Sequence, residues 1–204
     1  MKEYPIPFNG PMVQAILEKR KHVTRRVVKP QPPAETLEMG RSDCGTYWRD
    51  FSGETHDWRC PYGEPGSKLW VRETWQQIHP VGNGQWAFAE PLSSDNAKYE
   101  LVYAADRGRD EPPKWRPSIH MPRWASRITL EVTGVRVERV QEISGLDAIA
   151  EGRPFDLRDE NIATSLRNAK AWFRELWDSI NAKSGNDWEA NPWVWVVEFR
   201  RVEQ

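Results

Sequence analysis

A chain of 204 residues suits one domain with elaborated loops, or a domain with a small appendage, and is long enough to bury a core. Its formal net charge of −1 excludes the broad basic field of a protein that coats DNA indiscriminately, so any recognition of anions must be local. No apolar run approaches the roughly 18 residues of a membrane span, and M-K-E-Y-P-I-P-F at the start lacks the apolar core of a signal peptide, so a cytoplasmic, reducing setting is expected.

The 12 tryptophans stand beside a hydrophobic share of only 38%. Such rings bury a large area each and serve a core, or they line a slot that takes a nucleobase.

Tyr4 to Phe8 is short, apolar and proline-punctuated, which predicts an edge strand. Asn9 or Gly10 then caps a helix with Pro11 near its first position, and Val13, Ile16 and Leu17 form its buried face at i, i+3 and i+4. The run I-L-E-K-R-K-H-V-T-R-R follows, from Ile16 to Arg26, with Lys19, Arg20, Lys21, Arg25 and Arg26 against the single acid Glu18. Cations so close repel one another and do not pack into an apolar core, which points to something anionic or polar in front of them. Lys21 and Thr24, three apart, share one face of a helical turn and lead into a strand around Val27 and Val28.

Residues 30–65, headed by K-P-Q-P-P, predict a long inserted connection with little regular structure. Cys44, His56 and Cys60 lie there as C-x11-H-x3-C and would supply three zinc ligands, with Asp57 or His79 as a fourth. The close C-x2-C pairing of a structural zinc site is missing, so unpaired structural thiols are expected and no metal or other cofactor is assigned.

P-Y-G-E-P-G-S, from Pro61 to Ser67, launches a strand over Leu69 to Trp75 whose alternation puts Leu69, Val71, Glu73 and Trp75 on one face. A carboxylate among apolar neighbours must be paired or raised in pKa, so Glu73 is either ion-paired with an arginine or suited to catalysis. Strands are predicted at Gln85–Glu90 and Glu100–Ala105, the second carrying Tyr103, and residues 106–117 form a charged insertion. From Lys114 to Arg127 four cations and no acid are interleaved with Trp115, His120 and Trp124. That mixture suits a single-stranded nucleic acid or a nucleotide, or else a loop pinned down by its two tryptophans.

Ile128 to Val140 alternates as a long strand or hairpin around Gly134, after which Ser144 caps a short helix that Gly152 ends. A loop over 153–161 leads to a helix reaching about Asn181, its stripe of Ala169, Trp172, Phe173, Leu176, Trp177 and Ile180 facing a core. These elements make a helical segment over 144–182, and Trp193 to Val202 is the last strand.

Lys21, Thr24 and Arg26 match the K, T and R of the signature G-x-K-x-x-T/E-x-R, and the chain resembles ASCH domains, a branch of the PUA-like superfamily. Lys19 stands where that family usually has glycine, a departure that bears on the backbone turn. G-S-K-L-W-V-R-E-T-W, from Gly66 to Trp75, looks like the family's next strand with its acid at the end. S-I-H-M-P-R-W-A-S-R-I-T-L-E-V, from Ser118 to Val132, is similar to a later segment of ASCH proteins from bacteriophages and prophages.

The resemblance touches most of the chain and implies a single α+β domain over residues 1–204, a partly open β-barrel of five to seven strands flanked by helices, with Lys21, Thr24 and Glu73 converging on one pocket. Some ASCH relatives remove the acetyl group of N4-acetylcytidine with such a set, others are metal-assisted ribonucleases, and others bind RNA. In the hydrolase, Lys21 is the base or nucleophile, its proton affinity lowered by burial or by Arg20, Arg25 and Arg26. Glu73 takes a proton from water or from Lys21, and Thr24 donates to the oxyanion. Arg20, Arg25, Arg26, Trp75, Tyr103, His120, Arg123 and Trp124 are the residues expected around a modified nucleoside or single-stranded RNA. Hydrolysis of an N4-acylated cytidine is the leading expectation; an RNA or modified-base reader, a ribonuclease, and a phage protein that grips a host protein through exposed aromatics are the alternatives.

Overall fold

The computed structural model describes residues 2–32, 38–42, 45–49, 55–80, 86–88, 99–106, 114–154 and 161–202. In chain order the elements are β1 (Glu3–Pro7), α1 (Gly10–Leu17), β2 (Val23–Val27), β3 (Glu38–Ser42), β4 (Gly45–Arg49), β5 (Thr55–Trp58), β6 (Lys68–Arg72), β7 (Trp75–Pro80), β8 (Trp86–Phe88), β9 (Glu100–Tyr103), β10 (Thr129–Arg139), α2 (Gly145–Ala150), α3 (Ile162–Asn181) and β11 (Trp193–Val202). The fold is mixed α+β. Its main sheet has five strands in the order β1-β6-β10-β11-β2, and two three-stranded sheets run β3-β4-β5 and β8-β7-β9. Among the described residues no helix is long and apolar enough to cross a membrane.

The main sheet is buried on both faces, and β11 shows why. Its run W-V-W-V-V-E-F sends Trp195, Val197 and Phe199 to one side and Val194 and Val196 to the other. On the first side they meet Ile6, Phe8, Leu69, Val71 and Leu130, under Val13 and Ile16 of α1. On the second, Ala148 of α2 and Ala169, Phe173 and Trp177 of α3 complete the core. The periodic stripe of α3 therefore packs as its spacing predicts, from an Asn161 cap whose Oδ1 accepts from the Thr164 N–H at 2.9 Å. Among the described strands only β1 pairs in parallel, with β6, and it lies at the edge of the sheet. Among the described residues the sheet does not close into a barrel, but it curls enough for Arg26 Nη2 on β2, the other edge, to donate to the Pro7 carbonyl of β1 at 2.5 Å.

Three expectations change. Residues 30–65 contain the sheet β3-β4-β5, built of strands of only four or five residues that gain their order from partners rather than from hydrophobic alternation. The stretch Leu69–Trp75 is two strands in different sheets, so Glu73 sits in the break between β6 and β7 instead of at the end of one strand. Thr24 lies inside β2, and Lys21 forms an isolated antiparallel bridge with Glu151, so the pair belongs to extended chain and not to a helical turn. Residues 128–140, by contrast, hold one continuous strand, with a register shift between Val132 and Gly134.

The end of α1 explains the oddity at Lys19. The Lys19 N–H donates to the Ile16 carbonyl at 3.1 Å and the Arg20 N–H to the Ala15 carbonyl at 2.8 Å, the paired bonds of a Schellman stop. Such a stop needs a left-handed residue, and Lys19 holds φ at 61°. Lys19→Gly is therefore expected to raise stability by up to about 1 kcal/mol, since a side chain in this region costs about that much. A urea midpoint below that of the wild type would contradict this account.

Candidate functional site

Gly152 fixes where the site forms. At φ 101° it ends α2, and a Cβ there would lie 2.7 Å from Ala15 Cβ and 3.1 Å from Lys21 Cβ. Only glycine allows the end of α2 to close on the turn after α1, and this closure seats Glu151 against Lys21. Lys21 Nζ, its side chain wholly buried, donates to Glu151 Oε2 at 2.5 Å and to the Glu151 and Val23 carbonyls at 2.9 Å. All three ammonium protons are thus used. Burial lowers the lysine's proton affinity, Glu151 opposes that, and Arg26 and Arg25 add smaller pushes downward. Arg20 is tied instead to Glu18 Oε2 and to the Gly152 carbonyl.

Arg25 lies beside this pair with its side chain fully buried. Its Nη2 meets Glu138 at 2.6 Å and Asp147 at 2.8 Å, and Nη1 stands 3.4 Å from Glu151. Arg136 bridges Glu138, Asp147 and Glu198 on the outer side. Through these ions α2 is pinned to β2, β10 and β11.

Around the edge strand β2 opens a cleft of about 380 Å³, lined by Met12, Thr24, Arg26 and Trp195 from the α1 side of the sheet and by Arg25, Phe173 and Trp177 from the α3 side. Among the described residues Arg25, Arg26, Lys29 and Arg59 supply its cations, Tyr62, Phe173, Trp177 and Trp195 its rings, and Glu151 its carboxylate. Burial lowers the proton affinity of Arg26 and raises that of the Tyr62 phenol, while the attraction between guanidinium and phenol works against both shifts. The chemistry on offer is an aromatic slot with a strongly cationic lining.

Glu73 belongs to a different cluster. Arg127 grips it through two bonds, Nε to Oε1 at 2.9 Å and Nη2 to Oε2 at 3.0 Å, and holds Asp106 with Nη1 and Nη2 at 2.6 and 3.0 Å. The same guanidinium lies 4.0 Å from the centre of the Tyr103 ring. Burial raises the Glu73 pKa, and the hydrogen bond from Arg127 counters it. Burial likewise pushes the Tyr103 phenol up to about 12, and its hydroxyl donates to the Ala125 carbonyl at 2.9 Å. Trp75 is fully buried and meets Trp124 edge-on, ring centres 5.8 Å apart. His120 is exposed, and Arg123 pairs with Glu3 at 2.8 Å.

The structure thus brings Thr24, Arg25 and Arg26 together on the cleft with Lys21 behind them, bonded to Glu151. Glu73 is paired with Arg127 rather than with Lys21, and Trp75, Tyr103, His120, Arg123 and Trp124 are not part of the cleft lining. Sequence reading missed Glu151 and Arg127, the two counterions, and it missed Tyr62, Lys29, Arg59 and Trp195 as lining. The run E-G-R after the short helix held a usable signal for Glu151, an acid directly before a helix-ending glycine. Cys60 is a free, half-buried thiol whose pKa burial raises to about 11; Cys44 and the side chains of His56 and Asp57 lie outside the described residues. Among the described residues no three His, Cys, Asp or Glu side chains are grouped to hold a metal ion.

No protein-family model matches the chain, and neither a curated protein nor a solved structure matches it.

Proposed function

We propose that this protein is a nucleoside-directed member of the ASCH group, that its curled five-stranded sheet is the partly open barrel of the PUA-like fold, and that the cleft beside Thr24 takes one base of a nucleoside or of single-stranded RNA. The observation that carries this reading is the lining, in which the four cations and four rings named above enclose about 380 Å³. Ligand pockets commonly measure about 300–1,000 Å³. Bases stack on aromatic rings and their phosphates seek arginine and lysine, so one slot satisfies both parts of a nucleotide. Trp177 and Trp195 report on occupancy. Cytidine and N4-acetylcytidine are expected to change the tryptophan emission in a saturable way; an unchanged spectrum with every nucleoside tried would count against the cleft.

Hydrolysis of an N4-acylated cytidine is the second reading, and the buried Lys21–Glu151 pair favours it. Water would add to the acyl carbon, the C–N4 bond would break, and N4 would take a proton, leaving cytidine and the free acid. In this arrangement Glu151 replaces Glu73 as the carboxylate that exchanges protons with Lys21, and Thr24 faces the cleft as the hydroxyl donor. Mass spectrometry of N4-acetylcytidine incubated with the protein decides it. Cytidine released by the wild type and by Glu73→Gln, but not by Thr24→Val, supports hydrolysis at this site; no release from the wild type leaves binding alone.

A further inference from the structure

The cations around the cleft fall into two groups. Arg25 is neutralised by Glu138, Asp147 and Glu151. Arg26, Lys29 and Arg59 have no carboxylate within ion-pair distance among the described residues. Glu151, the carboxylate of the lining, is already taken by Lys21 and Arg25. Arg26 gives Nη2 to the Pro7 carbonyl and lies 5.1 Å from the centre of the Phe8 ring, while its Nε is buried with no hydrogen-bond partner among the described residues. Among the described residues no acid other than Glu151 lines the cleft beside these three.

Burial divides the lining. Phe173 and Trp177 are buried on the α3 side and Trp195 on the α1 side, Tyr62 is half-buried, and Lys29 and Arg59 are exposed. A neutral nucleoside would cover the rings and bring no anion to the exposed cations. A buried guanidinium N–H without an acceptor also costs free energy until a ligand oxygen meets it.

We infer that the cleft is built for a nucleotide rather than a free nucleoside, with the phosphate held by the exposed Lys29 and Arg59, an oxygen of the ligand accepting from Arg26 Nε, and the base against the rings of the lining. This rests on the base-binding reading above and adds the anion to it. The phosphate supplies the charge that the described residues do not place beside these cations, and guanidinium and ammonium groups are its ordinary partners.

Calorimetric titration with cytidine, cytidine 5′-monophosphate and inorganic phosphate tests it, on the wild type and on the Lys29→Ala/Arg59→Ala double variant. Both substituted side chains are exposed, so the variant is expected to fold. The monophosphate should bind the wild type about tenfold or more tighter than cytidine, as charge-assisted contacts allow, and in the double variant that ratio should fall toward one. Equal affinities in the wild type, or a ratio that survives in the variant, would overturn the phosphate site while leaving base binding intact. Inorganic phosphate binding as tightly as the monophosphate would overturn base binding while leaving the anion site, and no binding by any of the three would end both.

Discussion

Glu151→Ala is expected to destabilise the fold by about 3–5 kcal/mol, the range for removing one partner of a buried ion pair. The variant would leave the Lys21 ammonium wholly buried with only the Val23 and Glu151 carbonyls to receive its protons, and it would remove one of the acids facing Arg25. Lys21→Ala should cost a similar amount, so lost activity in that variant means little unless its folding is checked. Equilibrium urea unfolding measures both, and a loss under about 1 kcal/mol, the worth of an exposed pair, would show that water reaches the site. Lys21→Met combined with Glu151→Leu should recover most of the loss, because an apolar pair of similar size avoids the desolvation of two ions.

The same lysine sets a pH dependence. Its folded pKa is lowered from the ordinary 10.5, chiefly by burial, so in the window just below 10.5 the unfolded chain binds the proton more tightly. Where the unfolded state holds more protons, stability rises with pH, so this residue's contribution should grow as pH climbs toward 10.5. The slope should vanish in the Met/Leu double variant.

Trp195→Ala should also cost about 3–5 kcal/mol, as expected for a large aromatic removed from a packed core. Trp195 is 2% exposed, packs with Phe8, Val197 and Phe199 in the core under α1, and reaches the cleft wall as well. Its loss therefore opens a cavity that joins core to cleft. Thermal and urea unfolding give the stability. Cytidine binding to Trp195→Phe, which keeps most of the packing, separates the two roles: weaker binding at near-normal stability places the ring against the ligand, whereas unchanged binding confines it to the core.

What was legible in the sequence is what neighbours along the chain decide. The caps at Asn9 and Ser144 are each satisfied by an N–H three residues on, so residue type and position suffice to read them. The stripe of α3 and the alternation of β11 are set by helix and strand periods against an apolar surface. Glu73, an acid on an apolar face, had to be paired or shifted in pKa, and it is both. Even Lys19, at the place where the resemblance leads one to look for glycine, marks a backbone position that is left-handed.

Tertiary structure alone decided the partners. Lys21 finds Glu151 across 130 residues, Arg25 finds Glu138 across 113, and Glu73 finds Arg127 across 54. No local rule chooses among the 30 acids of the chain, because an ion pair depends on which elements the packing brings within a few ångströms and on how much water it removes. Lys21, Arg25 and Arg26, alike in sequence, are sorted by the fold into a buried lysine paired with Glu151, a neutralised arginine and an arginine on the cleft. That sorting follows from strand parity: Arg25 faces α2 and α3 beside Val196, whereas Thr24 and Arg26 pair with Val197 and Trp195 on the other side of the sheet. The sequence determined that cations and rings would be plentiful near β2, and the packing of α1, α2 and α3 on the sheet determined which of them line the cleft.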